Sequence, residues 1–288
     1  MKFRTPVEIE VSKDIRLSHS TPLLLIGSCF SDNIASRLIR DGFEPIANPG
    51  GALYNPASIA GIMRRALHGD YFKESELVNG PRGYHLPALS TTFSGPDPAK
   101  IIADANRVLK LVGDILRPEG VCFITLGTAF VFERIETGEI VGNCHKLPGY
   151  LFNRRRLSVE ECTAFLRPVV EELAARGVNC VLTVSPVRHT ADTLHGNTLS
   201  KATLHLACDK LCEEFSDTVS YFPAFEAIID DLRDYRFTAP DMKHPTEQAA
   251  DYVYDLFRQC YFSEETERIA TEARKNHARE AHRPILEN

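Results

Sequence analysis

Residues 23–38 read Leu23-Leu24-Leu25-Ile26-Gly27-Ser28-Cys29-Phe30-Ser31-Asp32-Asn33-Ile34-Ala35-Ser36-Arg37-Leu38. Four aliphatic residues ending at a glycine have the pattern of a strand buried on both faces. Beyond the glycine the apolar residues recur at helical spacing (Phe30, Ile34, Leu38), so the chain turns from strand into helix at Gly27-Ser28-Cys29. Two potential nucleophiles thus stand where the carboxyl end of a strand meets the amino end of a helix. Open α/β sheets place ligands there, and free backbone N–H groups favour negative charge there.

Further along, Val121–Leu126, Asn179–Val184 and Thr218–Phe222 have the same apolar character and each precedes a helical pattern. Helix starts are marked by Asn55-Pro56, by Asp97-Pro98, by the Ser158/Glu161 capping-box pair and by Thr246-Glu247. A helix is expected from Thr198 or Leu199 to Phe215. Strands alternating with helices predict an α/β fold with a parallel central sheet and helices on both faces. In such a sheet Gly27-Ser28-Cys29, Gly127-Thr128-Ala129, Ser185-Pro186 and the 231–246 loop share one edge. Val7–Leu17 is read as an edge strand or an extended lead-in. Residues 45–57 are read as a loop, Val131–Ile135 with Glu139–Val141 as a hairpin around Glu136-Thr137-Gly138, and Arg154-Arg155-Arg156 as a solvated loop. The chain divides into a domain over 1–262 and a charged helical tail over 263–288 with a solvated or partner-facing surface.

At 288 residues the chain can bury a large core, and 43% hydrophobic with 25% charged residues is the composition of a globular protein. A net charge of −6 argues against a nucleic-acid or anionic-membrane surface, both of which require a basic excess. Lys2, Arg4, Glu8, Glu10, Lys13, Asp14 and Arg16 interrupt the first twenty residues, so no signal peptide is expected and the cytoplasm is the expected location. The eight cysteines are dispersed without a Cys-x-x-Cys, as reduced buried thiols would be. The sequence carries no signal for an oligomeric state.

A thiol or hydroxyl nucleophile needs a base and a group to orient that base. Asp241-x-x-His244 offers both within one turn. The oxyanion of acyl transfer needs preorganised donors. Candidates are the N–H after a strand-end turn, such as that of Cys29 or Gly127, the N–H groups of Gly50 or Gly51, and the Asn143 amide. His145, His189, Asn197 and Lys201 are polar loop residues weighed between substrate binding and scaffold.

Taken together, Ile26-Gly27-Ser28-Cys29-Phe30, Gly51-Ala52-Leu53-Tyr54-Asn55-Pro56, Leu126-Gly127-Thr128-Ala129, Asn143-Cys144-His145-Lys146-Leu147-Pro148, Ser185-Pro186-Val187, Asn197-x-x-Ser200-Lys201 and Asp241-x-x-His244-Pro245 resemble the bacterial GSCFA family over about residues 1–260. That family is grouped with the SGNH/GDSL hydrolases. The resemblance implies a three-layer, flavodoxin-like α/β/α sandwich and an esterase or acyltransferase acting on a small O-acyl ester, by analogy a carbohydrate-linked one. No metal or redox cofactor is implied.

SGNH enzymes carry Asp and then the nucleophilic Ser after their first glycine. Laying Gly27 on that glycine puts Ser28 at the Asp position and Cys29 at the nucleophile position, so either side chain is a candidate. Cys29 is favoured because a helix N-terminus and a nearby imidazole lower a thiol's pKa. The Gly-x-Asn-Asp block of those enzymes has its counterpart in Gly127-Thr128-Ala129-Phe130, which lacks the Asn; Asn143 or Asn197 is the substitute. Two rival readings are a non-catalytic module with an anion site at the helix N-terminus and a structural metal site built from Cys144, His145 and Cys208 or Cys212.

Overall fold

The computed structural model describes residues 4–281. Residues 1–3 of the expected domain and 282–288 of the expected tail lie outside the described residues. Five parallel strands form the central sheet: β1 (Leu23–Gly27), β2 (Ile46–Ala47), β3 (Val121–Leu126), β4 (Asn179–Val184) and β5 (Val219–Tyr221). Their order across the sheet is β2-β1-β3-β4-β5. Every pairing is parallel, in register Leu24↔Cys122 and Ile124↔Leu182.

The sheet is buried on both faces because alternate side chains of each strand feed two cores. Leu24, Ile26, Cys122, Ile124, Cys180 and Leu182 point into one, with Ile59, Met63, Leu109 and Leu166. These last residues belong to α2 (Pro56–His68), α3 (Pro98–Ile115) and α4 (Val159–Ala175), which cover that face with α5 (Thr193–Glu214). Leu23, Leu25, Val121, Phe123 and Val181 point the other way, against Phe30 and Leu38 of one helix and Tyr254 and Phe257 of another. These helices of the opposite face are α1 (Cys29–Arg40) and α6 (Glu247–Tyr261). The result is the three-layer α/β/α sandwich expected from the alternating pattern. No helix among the described residues is long and apolar enough to cross a membrane.

Local chemistry places the helix starts. The Asn55 side chain accepts the Ser58 N–H at 2.8 Å with Pro56 at the first helical position. Ser158 and Glu161 close a reciprocal capping box at 3.1 and 2.8 Å. Gly27 has a φ of +134°, and a Cβ there would stand 2.1 Å from the Thr125 carbonyl oxygen. Only glycine lets β1 leave the sheet so close to β3.

Several expectations are corrected. Within 45–57, read as loop, Ile46–Ala47 form the short strand β2 beside Leu24 and Leu25; a two-residue pairing flanked by Pro45 leaves no periodicity to detect. Of the two readings of residues 7–17 only the edge strand fails, since they make no ladder and Leu17 forms a single bridge with Phe262; the lead-in stands. Helix α5 starts at Thr193, a turn or more earlier than expected, because the Thr193 hydroxyl takes the Gly196 N–H at 3.1 Å and carries the helix through the glycine. Arg154-Arg155-Arg156 are not a loop. They belong to a strand, Phe152–Arg156, paired antiparallel with Phe130–Arg134 of the hairpin.

Residues Glu264–Ala281 form α7, whose inner face is docked rather than solvated. Ala270 is buried in the second core, the Thr266 hydroxyl donates to the Leu17 carbonyl at 2.7 Å, and Arg274 reaches the fully buried Asp41 at 2.5 Å. Its low apolar content concealed this, because small and charged residues make the contact.

Candidate functional site

In a sheet of this order the crevice opens between β1 and β3, where the connections depart to opposite faces. Both strand-end loops meet there, and a cleft of about 550 Å³ lies above them. Its walls come from four places: the β1 turn (Cys29), the start of α2 (Tyr54), the hairpin sheet (Phe130, Phe132, Asn143, Arg154) and the late loops (Arg188, His189, Lys243, His244).

The two adjacent nucleophiles have separate fates. Ser28 is the N-cap of α1, 1% exposed, its hydroxyl accepting the Phe30 N–H at 3.2 Å. Cys29 is the first helical residue, half-buried, and lines the cleft. Its thiol is not activated by the helix end as expected. Burial and then the Asp32 carboxylate push the Cys29 thiol up, outweighing its own backbone N–H and the more distant Lys201 ammonium.

His244 lies on the cleft wall with its ring half-exposed. Its Nδ1 donates to Asp241 Oδ2 at 2.5 Å. The other carboxylate oxygen accepts the Lys243 and His244 backbone N–H groups at 3.0 and 3.1 Å. Those three bonds, the His244 side-chain bond first, hold the Asp241 carboxyl well below the usual carboxylate range. With Nδ1 as donor, Nε2 is the basic atom. Cys29 Sγ and His244 share the cleft, and no hydrogen bond joins them.

The expected oxyanion donors divide. Asn143 lines the cleft; its Oδ1 accepts the His145 N–H at 2.8 Å, which fixes the amide and leaves Nδ2 without a hydrogen-bond partner among the described residues. Gly51 and Gly127 are corrected. The Gly51 N–H is spent on the Asn48 carbonyl at 2.7 Å, and the Gly127 N–H on the Tyr54 carbonyl at 2.8 Å. A Cβ on Gly51 would meet the Ser90 hydroxyl at 2.0 Å, so this glycine serves a close approach.

His145 is also corrected. It is buried with Nε2 donating to the Leu86 and Leu89 carbonyls at 2.9 and 3.0 Å, and its ring stacks on His85 away from the cleft. Asn197 accepts the His189 N–H at 2.9 Å and lines a separate pocket, so it shapes the His189 loop. His189 itself stays on the cleft, edge-on to Tyr54 with ring centroids 5.7 Å apart. Burial, then the Lys201 charge, pushes it down to about 4, and its Nε2 is buried without a partner. The rival metal reading finds no geometry: among the described residues no three His, Cys, Asp or Glu side chains converge as ligands.

Sequence reading missed Asn48, whose φ is +39°. Its Oδ1 accepts the Gly27 N–H at 2.8 Å, and its Nδ2 donates to the Ser28 carbonyl at 3.3 Å and to Asp32 at 3.0 Å. One amide therefore binds the strand end, the turn and the first helical turn around Cys29. The signal was the Asn48-Pro49-Gly50-Gly51 run, which marks a special backbone but not its partner. Tyr54 was missed as a wall residue. Lys201 is fully buried inside α5, donating to the Gly127 and Ser185 carbonyls at 2.6 Å each, and so ties the ends of β3 and β4 together. Burial pushes Lys201 down to about 7.

No curated protein matches the chain. The model of the GSCFA family matches residues 22–257, from the first residues of β1 into α6, and so spans the strand-end turn, the cleft walls and the Asp241/His244 loop. On that match the chain belongs to the GSCFA family.

Proposed function

We propose that the protein is a hydrolase or acyltransferase of the SGNH type that acts on a small O-acyl ester, with Cys29 as nucleophile. The observation that carries this reading is the placement of Cys29 and an Asp241-oriented His244 on one cleft at the carboxyl edge of the sheet. The burial of Ser28 and its N-cap bond favour Cys29 over Ser28 as the nucleophile.

In the reaction His244 Nε2 takes the thiol proton through one water. The sulfur bonds to the acyl carbon, and the carbonyl π pair moves onto oxygen. The Cys29 N–H, the Asn143 Nδ2 and the Tyr54 hydroxyl, which burial keeps protonated, are the donors for that oxyanion. Collapse breaks the ester C–O bond, and the departing alkoxide takes the proton held by His244. Water, or an acceptor alcohol, then loses a proton to His244 and attacks the Cys29 thioester, releasing the acyl product and restoring the thiol. Asp241 holds the tautomer and the charge that His244 gains. Because the resting thiol is raised rather than lowered, the base is essential.

The eight cysteines are all free thiols, which supports the cytoplasm as the location and a reducing environment for Cys29. The test is turnover of short p-nitrophenyl esters by the wild type, Cys29→Ala, Ser28→Ala and His244→Ala. Turnover lost in the first and third variants and retained in Ser28→Ala is expected; equal rates in all four proteins sink the reading.

A further inference from the structure

The protein carries a net charge of −6, yet among the described residues no carboxylate lines the Cys29 cleft, while Arg154, Arg188 and Lys243 do. The nearby carboxylates already have partners. Asp192 pairs with Arg154, Asp241 holds His244, and Asp32 accepts from Asn48. Among the described residues Arg188 and Lys243 have no ion pair. The Arg188 guanidinium lies 5.6 Å from the Tyr235 ring centroid, and Arg188 and Lys243 line both the cleft and the adjoining pocket together with His244. The amino end of α1 adds positive potential from below.

We infer that the cleft takes an anionic substrate: an ester carrying a carboxylate or phosphate group, which Arg188 and Lys243 bind beside His244 while the acyl carbon meets Cys29. The assignment rests on the hydrolase reading for the identity of the ligand as an ester; its charge rests on the cleft alone. Phe130 and Phe132, over which the Arg154 guanidinium stacks at 5.1 and 4.4 Å, give the remainder of the ligand an apolar surface.

The test uses the Cys29 thiol as its own probe, without catalysis. Alkylation at Cys29 is followed by peptide mass spectrometry with iodoacetate, which is anionic, and with iodoacetamide, which is neutral. The ratio of the two rates removes any change in thiol reactivity. Relative to the wild type, the iodoacetate/iodoacetamide ratio should fall about fivefold in Arg188→Ala and in Lys243→Ala, further in Lys243→Glu, and return in Lys243→Arg. Raised salt should lower the ratio in the wild type. Succinate and phenyl phosphate, added as protectants, decide between a carboxylate and a phosphate. Lys243 is exposed, so its variants test the charge without disturbing the fold. An unchanged ratio, or protection by neither anion, overturns the inference. Ester turnover with an insensitive ratio would leave the hydrolase reading standing and remove the anion; a sensitive ratio with no ester cleaved would do the reverse.

Discussion

The His244 imidazole donates through Nδ1 to Asp241 Oδ2 at 2.5 Å, within one turn whose own backbone N–H groups hold the other carboxylate oxygen. Those bonds hold the Asp241 carboxyl below its usual range, and Nε2 of the ring is left to act on the cleft. Asp241→Asn should lower kcat by about ten- to a hundredfold with little change in KM, less than in a fully buried triad because both side chains are half-exposed. Steady-state kinetics on a short ester checks this.

Ser28 and Cys29 separate stability from chemistry. Ser28→Ala removes the α1 N-cap and should cost about 1 kcal/mol, which lowers Tm by about 2–4 °C in a chain of this size, while the protein remains active. Cys29→Ala should leave Tm nearly unchanged and abolish turnover. Thermal melts beside the activity assay read both.

Asn48 is a positioning residue. Asn48→Ala leaves the buried Gly27 N–H unpaired and should destabilise by about 1–3 kcal/mol, with the positive φ adding strain. Because the Cys29 turn loses its clamp, kcat should fall about a hundredfold while KM changes little. A purely structural role would instead move the melting curve alone.

How much of this was legible in the sequence follows from what each residue does locally. Leu23–Gly27 and Val121–Leu126 could be read as strands because both faces are buried and their side chains are uniformly apolar. Asn55, Ser158 and Thr246 could be read as caps because their partners lie three residues away. Asn48 acts on Gly27, 21 residues distant, and Lys201 on Gly127, 74 distant; no local pattern encodes such partners. His145 and Gly51 were selected for their residue types, but the geometry spends their polar groups on the scaffold. The direction of the Cys29 shift depends on burial, which a helix-end argument omits.

Two of the imidazoles that burial keeps neutral, His85 and His189, set an acid limit on the fold. Burial is the leading cause that pushes His189 down to about 4, and burial with its neighbour His145 does the same to His85. Unfolded, each takes a proton near 6.5. Between these values the unfolded chain binds more protons, so the contribution is complete above about pH 6.5 and is lost as pH falls through about 4. In His189→Gln the drop in Tm between neutral pH and pH 4.5 should shrink by about 2–4 °C, measured by calorimetry.

The raised Cys29 thiol has a kinetic signature. Its alkylation by iodoacetamide should keep accelerating beyond pH 9, whereas a thiolate stabilised by the helix end would reach a plateau near neutrality. Rates of Cys29 labelling from pH 6 upward distinguish the two.

In the proposed reaction an acyl group passes through the sulfur of Cys29 under the action of His244. The most direct measurement is quenched-flow acylation with p-nitrophenyl acetate followed by mapping of the acetyl group. A thioester is expected on Cys29 in the wild type, none in Cys29→Ala, and strongly slowed formation in His244→Ala. Acetyl found on Ser28, spread evenly over the other cysteines, or formed on Cys29 at the same rate without His244 would contradict it.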